Sequence, residues 1–184
     1  EITQAPRRYG FHATLKPPFH LAAGKNVETL CEALNALASD HKPIVIDGLH
    51  VAVLGTFLAL VPNGNSGELS ELAARTVRDL DSFRASPTED EIARRRQRRL
   101  TPAQQDNLAR WGYPHVMNQF RFHMTLTGRL AKSDLLATKC VLEPLLTQLV
   151  PQPFTLDALT LAGEDDQGMF HRIERFAFSA NSSL

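Results

Sequence analysis

The stretch "YGFHATLK" at residues 9–16 has an echo much later in the chain, "FRFHMTLT" at residues 120–127. Both stretches alternate. In the first, Tyr9, Phe11, Ala13 and Leu15 fall on one side, and Gly10, His12, Thr14 and Lys16 on the other. In the second, Phe120, Phe122, Met124 and Leu126 oppose Arg121, His123, Thr125 and Thr127. A period of two predicts half-buried strands, over 9–16 and about 119–129. Pro17 and Pro18 end the first of them.

The echo extends beyond the histidines. From Val27 to Ala38, apolar residues recur at helical spacing, and Pro43 then precedes two β-rich runs broken around Gly48 and Gly55. After the second motif a helix is expected from Ser133 to Leu149, with Leu135, Leu136, Leu142, Leu145, Leu146 and Leu149 on its apolar side. Strands follow at about 153–162 and 170–179, separated by the acidic turn "GEDDQG". His12 stands 35 residues before Asp47, and His123 stands 34 before Asp157. Each half reads strand, helix, Pro, strand, strand, the pattern of an internal duplication.

Between the halves the composition changes. A helix with buried stripe Leu69, Leu72, Ala73, Thr76 and Leu80 is expected over about 68–83. Thr88 and Thr101 then read as helix starts, the second with Pro102 at its first helical position. The expected domain is therefore α+β and two-lobed: lobe one about 1–83, a helical insertion about 84–112, and lobe two about 113–184.

Length and composition set the outer limits. With 184 residues, 43% hydrophobic and 22% charged, the chain is ordinary for one globular domain. Lys plus Arg and Asp plus Glu each number 20. That balance argues against non-specific coating of nucleic acid, which needs a basic surface. The run Arg94, Arg95, Arg96, Arg98, Arg99 is the strong basic cluster. It reads as a solvated helix face offset by Glu89, Asp90 and Glu91, with a phosphate-rich or nucleic-acid ligand reaching past the cleft as the competing reading. Cys31 and Cys140 sit in apolar helical patterns, as buried thiols of a reducing compartment would. No apolar run nears the ~18 residues of a membrane span and no signal peptide opens the chain, so a cytoplasmic protein is expected. No GxxxxGK[ST] or GxGxxG occurs, and the other five histidines lack zinc-ligand spacing on one element. No cofactor and no metal are expected.

Residues i and i+2 of a strand point the same way, so His12 with Thr14 and His123 with Thr125 are polar pairs on apolar strands. Were the two strands to lie side by side, both pairs would open onto one cleft. Imidazole titrates near neutrality and suits general base and general acid work. Threonine hydroxyls suit the non-bridging oxygens of a phosphoryl group between them. Lys16 and Arg121, on the same faces by alternation, would add positive charge there. The competing structural reading is a pair of hydrogen-bonded, half-buried positions preserved by the duplication itself.

"FHATL" and "FHMTL" resemble the paired H-x-[ST]-x-hydrophobic signatures of the 2H phosphoesterase superfamily, which includes LigT-like RNA cyclic phosphodiesterases. "RRYGFHATLKPPF", "LTPAQQDNLARWGYP" and "FRFHMTLTGRL" resemble its bacterial branch encoded alongside phosphonate-degradation genes. The resemblance covers nearly the whole chain. It implies two pseudo-symmetric lobes, each a small antiparallel sheet flanked by helices, around a central cleft. It also implies metal-independent hydrolysis or transfer at a phosphodiester, commonly a cyclic one. By motif, His12 and His123 match the catalytic histidines, and Thr14 and Thr125 the phosphate-orienting hydroxyls. The family pattern carries a further strand and helix ahead of the first motif. The expected substrate is a small cyclic phosphate, nucleotide or ribosyl phosphate, or an RNA end, taken by a monomer without membrane contact. The alternatives are a binding module that holds a nucleotide or RNA end without turnover, and an RNA-processing, ligase-like enzyme.

Overall fold

A computed structural model describes residues 2–88 and 99–180. It is a mixed α+β structure of small antiparallel sheets and helices. In chain order the elements are α1 (Gln4–Arg7), α2 (Val27–Ser39), β1 (Ile44–Ile46), β2 (Leu49–Leu54), β3 (Phe57–Pro62) and α3 (Gly67–Asp79). A 3₁₀ turn at Asp81–Phe83, α4 (Pro102–Trp111) and a second 3₁₀ turn at Met117–Gln119 follow. The chain then forms β4 (Met124–Thr125), α5 (Lys132–Leu149), β5 (Phe154–Leu156), β6 (Ala158–Glu164) and β7 (Phe170–Ala177). The Arg94–Arg98 part of the basic run, and the helix expected to start at Thr88, lie outside the described residues.

Contacts divide the chain into two compact units. The first comprises Glu1–Thr14, Ala38–Ser66 and Phe122–Leu184. Here β2 and β3 form a hairpin, Leu49 opposite Pro62 through Leu54 opposite Phe57. The edge of β3 takes β4, with Ala59 opposite Thr125 and Leu60 opposite Met124. On the far side of Met124 stands Ala13, joined by a single antiparallel bridge. β1 pairs with β5, Val45 opposite Thr155, and β6 with β7. Helix α5 packs on β2 and β3. Leu58, Ala59 and Leu60, at most 2% exposed, anchor this core with Ile44, Leu49, Val51, Phe122, Leu135 and Phe176.

The second unit comprises Leu15–Leu37 and Gly67–Arg121. Its core is the stripe Leu69, Leu72, Ala73, Thr76 and Val77 of α3. The α4 start carries a capping box: Gln104 N–H donates to Thr101 Oγ1, and Gln104 Oε1 accepts from Thr101 N–H. Gly112 closes α4 in the left-handed region at φ +71°, beside the Arg84 side chain.

Several expectations are corrected. The segment around His12 is extended but forms only the Ala13 bridge, because bends at Leu15 and Lys16 end it. Of the expected strand 119–129, Met124–Thr125 is strand, preceded by a 3₁₀ turn. Phe11, placed on the apolar side by alternation, is 62% exposed, and Tyr9 is 39% exposed. Along α5 only Leu135 is fully buried, while Leu136, Leu145 and Leu149 are exposed.

Candidate functional site

The site is built on the Ala13–Met124 bridge of the first unit. Continued by one residue either way, that antiparallel register would set His12 opposite Thr125 and Thr14 opposite His123. Residues directly opposite on antiparallel strands share a face, with Cβ atoms about 5 Å apart. On that register all four side chains would share one face. Ala59 and Phe57 of β3 lie on that face too, and the Phe57 ring stands 6.0 Å from the His123 ring.

The backbone before His12 fixes its imidazole. Helix α1 ends in tight turns, Tyr9 N–H donating to Pro6 O and Gly10 N–H to Arg7 O. Gly10 sits at φ +69°, where glycine is favoured. Its carbonyl accepts from His12 Nδ1–H at 3.1 Å. A carbonyl can only accept, so in the neutral ring the proton is on Nδ1 and Nε2 carries the lone pair. That Nε2 faces Thr14 Oγ1 at 2.8 Å. The threonine hydroxyl donates to neutral His12. Once the ring is protonated it accepts from Nε2–H instead, and its own proton is released for another acceptor. The His12–Thr14 pair thus couples the ring's protonation state to a hydroxyl donor.

Around His12 lies an aromatic cluster. The Tyr9 ring is 5.7 Å from the His12 ring and stacks on Phe170 at 4.8 Å. The Arg8 guanidinium lies 5.3 Å from the Tyr9 ring centroid and 5.7 Å from that of Phe170. It also forms an ion pair with Glu164. None of this was legible in the alternation, because Glu164 and Phe170 come from β6 and β7.

Thr127, grouped with His123 and Thr125 by alternation, has a different task. It is 1% exposed, accepts from Leu58 N–H at 3.0 Å and donates to Gly128 O at 2.9 Å. It fastens the segment after β4 to β3. Beyond it, an open depression of about 430 Å³ is lined by Ile2, Gln4, Ala5, Gly128 and Arg129.

Lys16 and Arg121 belong to the second unit. Arg121 is exposed. The Lys16 side chain is 7% exposed; its Nζ lies 3.8 Å from Asp81 Oδ1 and donates to Val77 O at 3.3 Å. Burial lowers its pKa to about 8, against the opposing pull of Asp81. Asp81 also accepts a two-pronged contact from Arg84, at 2.8 and 3.1 Å. Arg84 thus serves a half-buried charge cluster in this unit. Among the described residues, no three His, Cys, Asp or Glu side chains cluster as a metal site would. No described helix is long and apolar enough to cross a membrane.

Two curated relatives are both called "Ribose 1,5-bisphosphate phosphokinase PhnN". The one from Janthinobacterium sp. (strain Marseille) is 42% identical over 183 residues, 97% of this chain and 40% of the relative. The one from Laribacter hongkongensis (strain HLHK9) is 34% identical over 131 residues, 71% of this chain and 30% of the relative. The chain spans less than half the length of either. The family model that matches covers residues 14–171 and is described as "Protein of unknown function (DUF1045)". On that match, the chain belongs to the DUF1045 family.

Proposed function

We propose that this chain is a phosphoesterase of the 2H type that opens a cyclic phosphodiester on a phosphorylated ribose by paired-histidine acid–base catalysis. The carrying observation is the Ala13–Met124 bridge, which joins the two His-x-Thr motifs and, continued by one residue either way, would set His12, Thr14, His123 and Thr125 on one face. The reading of two pseudo-symmetric halves draws support from the same pairing. Ala13 and Met124 hold matching places in the two motifs, as do Val45 and Thr155, two residues before Asp47 and Asp157. In both cases matching residues pair with each other, as a two-fold relation between repeats requires.

In the proposed reaction Thr14 Oγ1–H turns from His12 Nε2 to a phosphoryl oxygen of the substrate, and the freed Nε2 lone pair takes a proton from water as the water oxygen attacks phosphorus. The bond from phosphorus to one ring ester oxygen breaks, and His123 gives that oxygen its proton. Thr14 and Thr125 donate to the phosphoryl oxygens as charge builds on them. Lys16 and Arg121 enter as candidates for further phosphate charge, and Lys16 would do so against its tie to Asp81.

The relatives' name supplies the sugar. A 1,2-cyclic phosphate of ribose 5-phosphate that opens at O2 gives ribose 1,5-bisphosphate, the compound in that name. The kinase chemistry in the name is assigned to the part of those relatives that this chain does not span, because its 184 residues hold no GxxxxGK[ST] loop. Phosphonate metabolism is the setting that the sequence resemblance supports, within the cytoplasm. The test is ³¹P NMR of ribose 1,2-cyclic phosphate 5-phosphate incubated with the protein. Conversion of the cyclic signal to a 1-phosphate monoester supports the proposal. An unchanged cyclic signal, with the ligand bound, transfers the site to the binding-module reading.

A further inference from the structure

A substrate that keeps a second phosphate needs a cation for it near the reacting groups, and the four-residue His–Thr face supplies none. Within the first unit, Arg8 has the required properties. Its backbone is pinned, since Arg8 O accepts from Phe170 N–H at 2.9 Å. Its guanidinium lies against two stacked rings, one of which, Tyr9, stands beside His12. A guanidinium held in this way keeps its plane without losing its donors. The side chain is 44% exposed. Its single side-chain hydrogen-bond acceptor among the described residues is Glu164, reached through Nη2 alone. A guanidinium has five N–H donors, so most of its fork has no protein acceptor there. A phosphate matches that fork and could replace or share the glutamate.

We propose that Arg8 is the specificity-determining residue that grips the phosphate the reaction leaves intact, with Tyr9 and Phe170 fixing the guanidinium and Glu164 balancing its charge until a phosphate takes its place. The proposal rests on the phosphoesterase reading above and adds a preference for doubly phosphorylated sugars. It is not a proton-transfer role. Arg8 acts on binding and orientation of the distal phosphate.

The experiment compares ribose 1,2-cyclic phosphate with and without its 5-phosphate, on wild type, Arg8→Met, Arg8→Lys and Glu164→Gln. Arg8→Met keeps much of the apolar stem over the rings and removes the charge. The expected result is a fall in kcat/KM of about 10- to 100-fold for the 5-phosphorylated substrate, carried mainly by KM, with the unphosphorylated substrate little changed. Arg8→Lys should recover part of the loss, because it restores the charge without the fork. Glu164→Gln should preserve the preference. Equal losses on both substrates in Arg8→Met and Glu164→Gln would make the ion pair a structural tie and overturn the proposal. Unselective wild-type turnover of both substrates would overturn it while leaving the phosphoesterase reading intact. No wild-type turnover of either would instead remove the reading on which it rests.

Discussion

Lys16 offers a test whose size can be worked from the structure. The ammonium is almost out of solvent, and burial lowers its pKa from 10.5 to about 8. At about 1.4 kcal/mol per unit, that is a penalty of roughly 3 kcal/mol on folding with the lysine charged. Below pH 8 the lysine is protonated in both folded and unfolded chains, so the whole penalty is present. Between about pH 8 and 10.5 the unfolded chain binds more protons, and stability rises with pH. Above both values the difference vanishes. Lys16→Met should remove the penalty, and Asp81 keeps its Arg84 partner, so no carboxylate is orphaned. The substitution also uncaps Val77 O in the last turn of α3, a loss of about 1 kcal/mol. The net expectation at pH 7 is stabilisation by about 2 kcal/mol. Urea unfolding at pH 7, 8, 9 and 10 measures it. Wild type should gain stability along that series from this residue, and the variant should lack the gain. A variant destabilised at every pH, with no difference in pH slope, would refute the argument.

Three further outcomes are expected. Thr14→Val and Thr125→Val should each lower kcat by about 10²-fold on a cyclic ribose phosphate, if their hydroxyls donate to the charge built up in the transition state. Steady-state kinetics checks this. Gly10→Ala has free space for its Cβ but not for its backbone at φ +69°. It should destabilise folding by about 1–2 kcal/mol and lower kcat through the lost aim of His12, read by denaturant melts and by kinetics. Thr127→Val orphans the Leu58 N–H in the core and should cost about 1–3 kcal/mol of stability, measured in the same melts, with kcat retained in the folded fraction.

The sequence showed the paired motifs of the candidate site better than their surroundings. The duplicated His-x-Thr strings were legible because a period of two fixes which residues share a face. The same period failed at Lys16, where Pro17 and Pro18 turn the chain and the lysine goes to Asp81 and Val77. It failed differently at Thr127, which lies past the end of β4 and is buried against Leu58. Alternation gives a direction and not a depth. Helix α4 was legible from Thr101, Pro102 and Gly112, since caps are local chemistry. Helix α5 was legible in extent but not in burial, because it packs on β2 and β3 with Leu135 buried and Leu142 and Leu146 only half-buried. The Arg8 cluster was invisible, since a hairpin distant in sequence completes it.

The central claim is that two histidines on one face act together, and their removal one at a time tests it most directly. The measurement is the turnover of ribose 1,2-cyclic phosphate 5-phosphate, with EDTA present, by wild type, His12→Ala, His123→Ala and the double variant. The account predicts turnover that survives chelation and falls about 10²- to 10⁴-fold in each single variant. The double variant should be little worse than either, since groups that act as a unit are not additive. A wild-type rate in either single variant, or activity abolished by chelation, would contradict it.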